Sequence, residues 1–189
     1  MSRRRVVVTG VGMLSPLGVD VPGSWQGVLA GRSGIGIIEH VDLSAHGTRF
    51  GGSVKGFDVE QYLSVKEARK LDPFIQYGLA ASFQAVRDSG LEITDANRES
   101  VAVAMGSGIG GLTNIESNSV VLNQQGPRRI SPFLVPGSII NMISGFLSIH
   151  LGAQGPNYAI ATACTTGIHC IGMAARNIAY DEADVMIAG

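Results

Sequence analysis

The 189 residues suffice for one α/β domain with a sizeable core, and the hydrophobic share of 45% is that of an ordinary globular chain. Charge is scarce: Asp, Glu, Lys and Arg make up 15% of the chain against about 25% in typical soluble domains, and the mean hydropathy is +0.24, so much of the surface is expected to lie against another surface. Fourteen basic and fifteen acidic residues leave a net charge of −1, which excludes recruitment of nucleic acid or membrane by a global field and leaves only local patches.

In chain order, the first apolar run is the β-branched stretch 6–8 after SRRR, bounded by Arg5 and by Thr9-Gly10, which predicts a strand buried on both faces. It is too short for an export signal, and no later stretch is long enough to span a membrane. TGVGMLSPLG follows. Its Gly10, Gly12 and Gly18 lack the spacing of a dinucleotide fingerprint, and no acidic residue ends a second strand at the required distance, so the segment reads as a tight turn. Residues 64–71 predict a helix opened by a Ser64/Glu67 capping box, and Asp72-Pro73 restarts the chain. Lys66, Arg69 and Lys70, at i, i+3 and i+4, place three cations on one face of that helix, and from sequence alone such a face is simply solvated. Residues 74–88 carry Ile75, Leu79, Ser82, Phe83 and Val86 on one side and end at Gly90, as a packed helix does.

Residues 101–105 predict a second buried strand. The GSGIGG turn after it lacks the Lys-Ser/Thr pair of a phosphate loop. Further helices are expected over 139–151 and 165–180, with strands over 158–163 and 185–188. Strands alternating with helices predict a mostly parallel sheet with helices on its faces.

Cys164 stands where the strand-like run 158–163 meets the last helix-like run. A thiol at a helix N-terminus meets unpaired N–H groups and the positive end of the macrodipole, which favour the reactive thiolate. Buried, inert cysteine is the commoner case. Here Ala161, Ala163, Thr165 and Gly167 leave room for a substrate at the sulfur, which favours covalent catalysis. Cys164 and Cys170 lie six apart on one turn and helix, a poor disulfide geometry and no zinc spacing even with His169 between them, so no metal site and a reducing, cytoplasmic location are expected. None of His40, His46, His150 and His169 is placed as a base for the thiol. His169, five residues on, projects about 500° round a helix and is expected to point well away. A cysteine hydrolase would need a nearby His and Asp, and none is convincingly placed.

ATACTTGIHCIG, the preceding GPNYAI, the opening RRVVVTGVGMLSPLG, the middle GSGIGG and PRRISPFLVPGSIINM together resemble the elongating type II β-ketoacyl-acyl carrier protein synthases, members of the thiolase-like condensing enzymes. The resemblance implies a thiolase-like layered α/β fold, a mostly parallel mixed sheet covered by helices. Residues 1–189 would form the N-terminal part of a two-half, pseudo-symmetric domain about twice this length, incomplete without its C-terminal half. The abrupt apolar ending DVMIAG fits that expectation. Two catalytic histidines and a lysine are expected in the other half, so the chain alone is expected to be inactive.

The implied activity is fatty acid chain elongation by decarboxylative Claisen condensation, with the acyl chain held as a thioester on Cys164. The Cys164 N–H would supply one oxyanion donor, and a glycine-rich loop beyond Gly189 the other. The resemblance assigns Ile109, Phe133, Leu134 and Ala163 to the acyl substrate. Ile109 is the gate at the pocket floor, and Phe133 and Leu134 reach toward a neighbouring subunit's pocket. It assigns Lys66, Arg69, Lys70, Arg128 and Arg129 to docking of the acidic acyl carrier protein. It further implies a homodimer with residues 158–163 at the interface, and no cofactor beyond the phosphopantetheine that arrives on the carrier. A ketosynthase of a type II polyketide system, or an inactive half serving only folding or dimerisation, remain the alternatives.

Overall fold

The computed structural model describes residues 4–189, so Arg3 of the opening basic run lies outside the described residues. The centre is a three-stranded parallel sheet in the order β4-β3-β5, built from β3 (Val101–Ala104), β4 (Asn157–Tyr158) and β5 (Val185–Ala188). β3 pairs Val101 with Val185 through Ala104 with Ala188 on one side, and Val103 and Ala104 with Asn157 and Tyr158 on the other. A two-stranded antiparallel ribbon, β1 (Gly36–Ile37) with β2 (Phe50–Gly51), stands apart from it.

Every residue of β3 is buried, as a strand covered on both faces requires. Because alternate side chains face opposite ways, Val101, Val103 and Met105 enter the main core with Ile187, while Ala102 and Ala104 face the other layer. The main core is closed by α3 (Pro73–Ser89) and α5 (Met142–Leu151), through Ile75, Leu79, Ile143 and Leu147. α6 (Thr166–Ala179) packs on β3 and β5 with its small buried residues Thr166, Cys170 and Ala174. The chain is completed by α1 (Val21–Leu29), α2 (Val65–Ala68) and α4 (Leu112–Gln125).

Local chemistry explains the helix ends. Ser64 and Glu67 form the expected capping box of α2, with the Ser64 N–H and hydroxyl both donating to the Glu67 carboxylate. Asp72 caps α3 ahead of Pro73, and Gly90 closes it in the left-handed conformation at φ 66°.

Three expectations are corrected. Residues 6–8 form no strand and are exposed, Val8 by 78%, because no described strand lies beside them to supply a ladder. The segment instead leads into residues 10–13, which run along α3. Val11 N–H donates to the Asp88 carboxylate and Met13 N–H to the Gln84 amide oxygen. A Cβ at Gly10 or Gly12 would drive into the Ala85 or Ala81 carbonyl, which is why the turn after the apolar run needs glycine there. The strand expected over 158–163 is only Asn157–Tyr158: Met105 N–H still donates to Tyr158 C=O, but among the described residues no backbone hydrogen bond ties 159–163 to β3. α5 begins at Met142 rather than 139, after a series of turns. The sequence reading also missed α1, whose signals are the Asp20 cap and Pro22, and α4, which has no capping side chain of its own.

Candidate active site

Cys164 is the middle residue of a 3-10 turn, Ala163–Thr165, that runs directly into α6. Ala163 holds φ 52°, where a Cβ costs about 1–2 kcal/mol, so the residue before the thiol is strained. Threonine hydroxyls brace the turn. Thr162 C=O accepts from Thr165 N–H at 3.2 Å and from its hydroxyl at 2.7 Å. Thr166 Oγ1 accepts from Thr162 N–H at 2.9 Å and donates to Ala163 C=O at 2.8 Å. Held this way, Cys164 is exposed, and its backbone N–H donates to no described residue. A free N–H at an exposed thiol is the arrangement that receives a carbonyl oxygen when sulfur attacks its carbon.

Cys170, on α6, is fully buried. Burial pushes its thiol above the ordinary value, against weaker opposing contributions from the backbone of Gly189 and Ile160. Its place is in the packing of α6 on the sheet. His169 Nδ1 lies 3.4 Å from Thr162 Oγ1, beside the turn that carries Cys164. It makes no hydrogen bond to the thiol. His150 is engaged elsewhere, 4.0 Å from Glu67 and edge-on to Phe83.

The GSGIGG turn follows β3 and lies against the segment that carries Cys164. A Cβ on Gly106 would meet the Ile160 carbonyl and, at 2.5 Å, the Thr166 methyl, and one on Gly108 would stand 3.3 Å from the Ala163 backbone. Gly106 N–H donates to Gly189 C=O, and Gly110, at φ 88°, donates to Ser107 Oγ. Ile109 stands on the crest of this turn, 69% exposed. The structure therefore brings Ile109, Ala163 and Cys164 into one neighbourhood, with Ile109 on an open surface.

Phe133 and Leu134 belong to the turns at 131–138. Phe133 is partly exposed beneath Lys70, whose Nζ lies 4.7 Å from the ring centroid. The helix expected over 64–71 is shorter, α2 itself being four residues long. Lys66 lies within it, Arg69 is its C-cap, and Lys70 follows in a tight turn with its N–H on Glu67 C=O. Arg128 and Arg129 occupy a separate 3-10 turn, Pro127–Arg129, packed on α4. None of the five cations forms an ion pair among the described residues. Arg69, Lys70, Asp72, Asn114 and Ser117 line a small cleft of about 170 Å³ between α2 and α4. Asp72, read from sequence only as a restart before Pro73, is buried there against α4, a contact 42 residues long that no local pattern announces.

Among the described residues no helix is long and apolar enough to cross a membrane, and no three His, Cys, Asp or Glu side chains gather as a metal site would need.

Comparison with known proteins agrees with this layout. Residues 3–189 match the family model described as beta-ketoacyl synthase, N-terminal domain. The chain is 61% identical over all 189 residues to 3-oxoacyl-[acyl-carrier-protein] synthase 2 of Vibrio cholerae and 51% identical to that of Coxiella burnetii, covering 46% of each. It thus spans about half the length of the curated relatives it matches. Among solved structures, a type II polyketide acyl carrier protein in complex with its ketosynthase bound to the hexaketide matches with a TM-score of 0.83 at 28% identity, over 99% of this chain and 51% of that one. The ishigamide ketosynthase/chain length factor matches with a TM-score of 0.87 at 26% identity, over 97% and 46%. The layered fold is that of the thiolase-like ketosynthases.

Proposed function

Because the chain belongs to the β-ketoacyl synthase family, as its N-terminal domain, we propose that it carries the nucleophilic half of a cytoplasmic enzyme that elongates fatty acyl chains on acyl carrier protein. The Cys164 thiolate attacks the thioester carbonyl of the acyl carrier, the carrier's phosphopantetheine thiol leaves, and the acyl chain remains on sulfur. Malonyl-carrier then loses carbon dioxide, and its carbanion attacks the acyl-enzyme carbonyl. The Cys164–carbonyl bond breaks, releasing a β-ketoacyl product two carbons longer. Carbon attack suits a thioester, which is easily formed and easily opened. The Cys164 N–H stabilises the developing oxyanion. The histidines that polarise the malonyl thioester belong to the half outside this chain, so residues 1–189 alone are inactive. The chemistry needs no resident cofactor.

The observation that carries this reading is the exposed thiol on a strained, hydroxyl-braced turn with a free N–H. The 61% identity to a 3-oxoacyl-[acyl-carrier-protein] synthase 2 favours fatty acid over polyketide elongation, for which the similarity is to a structure at 28% identity. A homodimer with residues 158–163 at its interface suits the exposed apolar surface there, and sedimentation at micromolar concentration checks it.

The test is intact-mass spectrometry of a protein joining this chain to the second half its relatives possess, after incubation with acyl-carrier thioesters. An adduct of one acyl group, absent from Cys164→Ala, is expected. Equal adducts on both proteins reject the assignment.

A further inference from the structure

Asp72 stands between the basic patch and the glycine-rich turn, and both of its carboxylate oxygens are used. Oδ1 accepts from Phe74 N–H at 3.2 Å, capping α3, and Oδ2 accepts from Asn114 N–H at 2.8 Å in the first turn of α4. The side chain is 6% exposed. α4 begins after Gly111 and has no capping side chain, so its orphan N–H groups and positive dipole end are met by a carboxylate from another helix. The same junction gathers the turns at 131–138. Asp72 N–H donates to Gly137 C=O, Gly111 N–H to Ser138 C=O, and the Asn114 amide to Ser138 Oγ. Two residues before Asp72, Lys70 lies over Phe133, and two residues before Gly111 stands Ile109.

We infer that Asp72 is a positioning residue that fixes the glycine-rich turn bearing Ile109 relative to the basic patch and Phe133, so that the docking surface and the acyl path keep one register toward Cys164. The functional part of this inference rests on the reading proposed above. The geometry separates the two helices Asp72 serves. Asparagine caps a helix as well as aspartate does, so Asp72→Asn keeps α3. Its amide cannot offer acceptor oxygens to both helices, and one N–H loses its partner. Asp72→Ser likewise caps α3 but is too short to reach α4.

The first measurement is amide hydrogen exchange on the full chain. In both variants the amides of residues 110–115 should exchange about tenfold faster, the order expected when a helix start loses its cap, with the first turn of α3 unchanged. Unchanged exchange at 110–115, or equal loosening of both helices, overturns the inference. The second measurement is acyl transfer from carrier to Cys164 in the protein joined to its second half. Transfer should slow and its dependence on primer length should change, while alkylation of Cys164 by iodoacetamide keeps its wild-type rate. Wild-type transfer and length dependence in a variant whose turn has loosened reject the positioning role and leave the proposed function standing. If the wild-type protein takes no acyl group, the proposed function falls, and the exchange result alone decides whether Asp72 fixes the turn.

Discussion

Ile109 and Cys164 owe their chemistry to side-chain surroundings set by a few backbone choices. Left-handed Ala163 turns the chain so that the next residue faces outward, and the close approach of Gly106 and Gly108 to residues 160–166 sets Ile109 beside it. As the only large side chain in GSGIGG, and an exposed one, Ile109 can change without disturbing the core. Ile109→Phe therefore leaves thermal stability near wild type, whereas overpacking a buried site costs about 1–3 kcal/mol. If Ile109 gates an acyl pocket, the larger ring spares short primers and blocks long ones, each methylene being worth about 0.8 kcal/mol of burial. Acylation rate against primer length checks this. Two profiles that fall at the same length show Ile109 to be outside the acyl path.

At the level of elements, what could be read beforehand was whatever is encoded within a few residues. The capping box of α2, the apolar face and Gly90 stop of α3, the buried run of β3 and the short β5 are all local patterns, and all form. The exposed thiol followed from the small residues and the helix contiguous with it, although the strand expected to reach it ends at Tyr158. What failed was non-local. Residues 6–8 have the composition of a buried strand, but a strand needs a neighbour, and composition does not say whether one is there. α4 escaped because its cap is Asp72, far away in sequence. The α2 box also carries a pH signature. Hydrogen bonds from the Ser64 hydroxyl and then its N–H hold Glu67 below the usual carboxylate range, with smaller contributions from His150 and Lys70. A lowered folded-state value means stability present above the unfolded value of about 4.3 and lost as pH falls through the folded one. Amides of residues 65–68 should lose exchange protection in that acid window in wild type. Ser64→Ala, which removes the hydroxyl and keeps the backbone N–H, should weaken the pH dependence there, and one of undiminished size shows Glu67 to be held by other groups.

At the scale of the whole molecule, the described residues present much apolar surface that nothing among them covers, including Ile168 at 75% exposure on the outward side of α6. With 15% charged residues, such a surface suits burial against another, which the second half and the partner subunit proposed above would supply. Against that background stand Lys66, Arg69 and Lys70 in and just after α2 and Arg128 and Arg129 on the turn Pro127–Arg129, five cations that make no ion pair among the described residues. Reversing Lys66 and Arg69 to Glu should raise KM for carrier-bound substrate at low salt while reaction with small thiol reagents stays intact, and the difference should shrink as salt rises. An unchanged KM at low salt places the carrier elsewhere. Arg4 bonds Asp181 at 2.6 Å and Asp184 at 2.7 Å, across 177 and 180 residues of sequence. Exposed ion pairs return too little to offset closing so long a loop in an open chain, so these contacts form only after β5 has joined β3 and residues 10–13 have settled on α3. The N-terminal segment is then a late event in folding and an early one in unfolding. Arg4→Ala should leave the refolding rate alone and speed unfolding, a chevron with only its unfolding limb displaced. A displaced refolding limb would put the clamp in the folding nucleus instead.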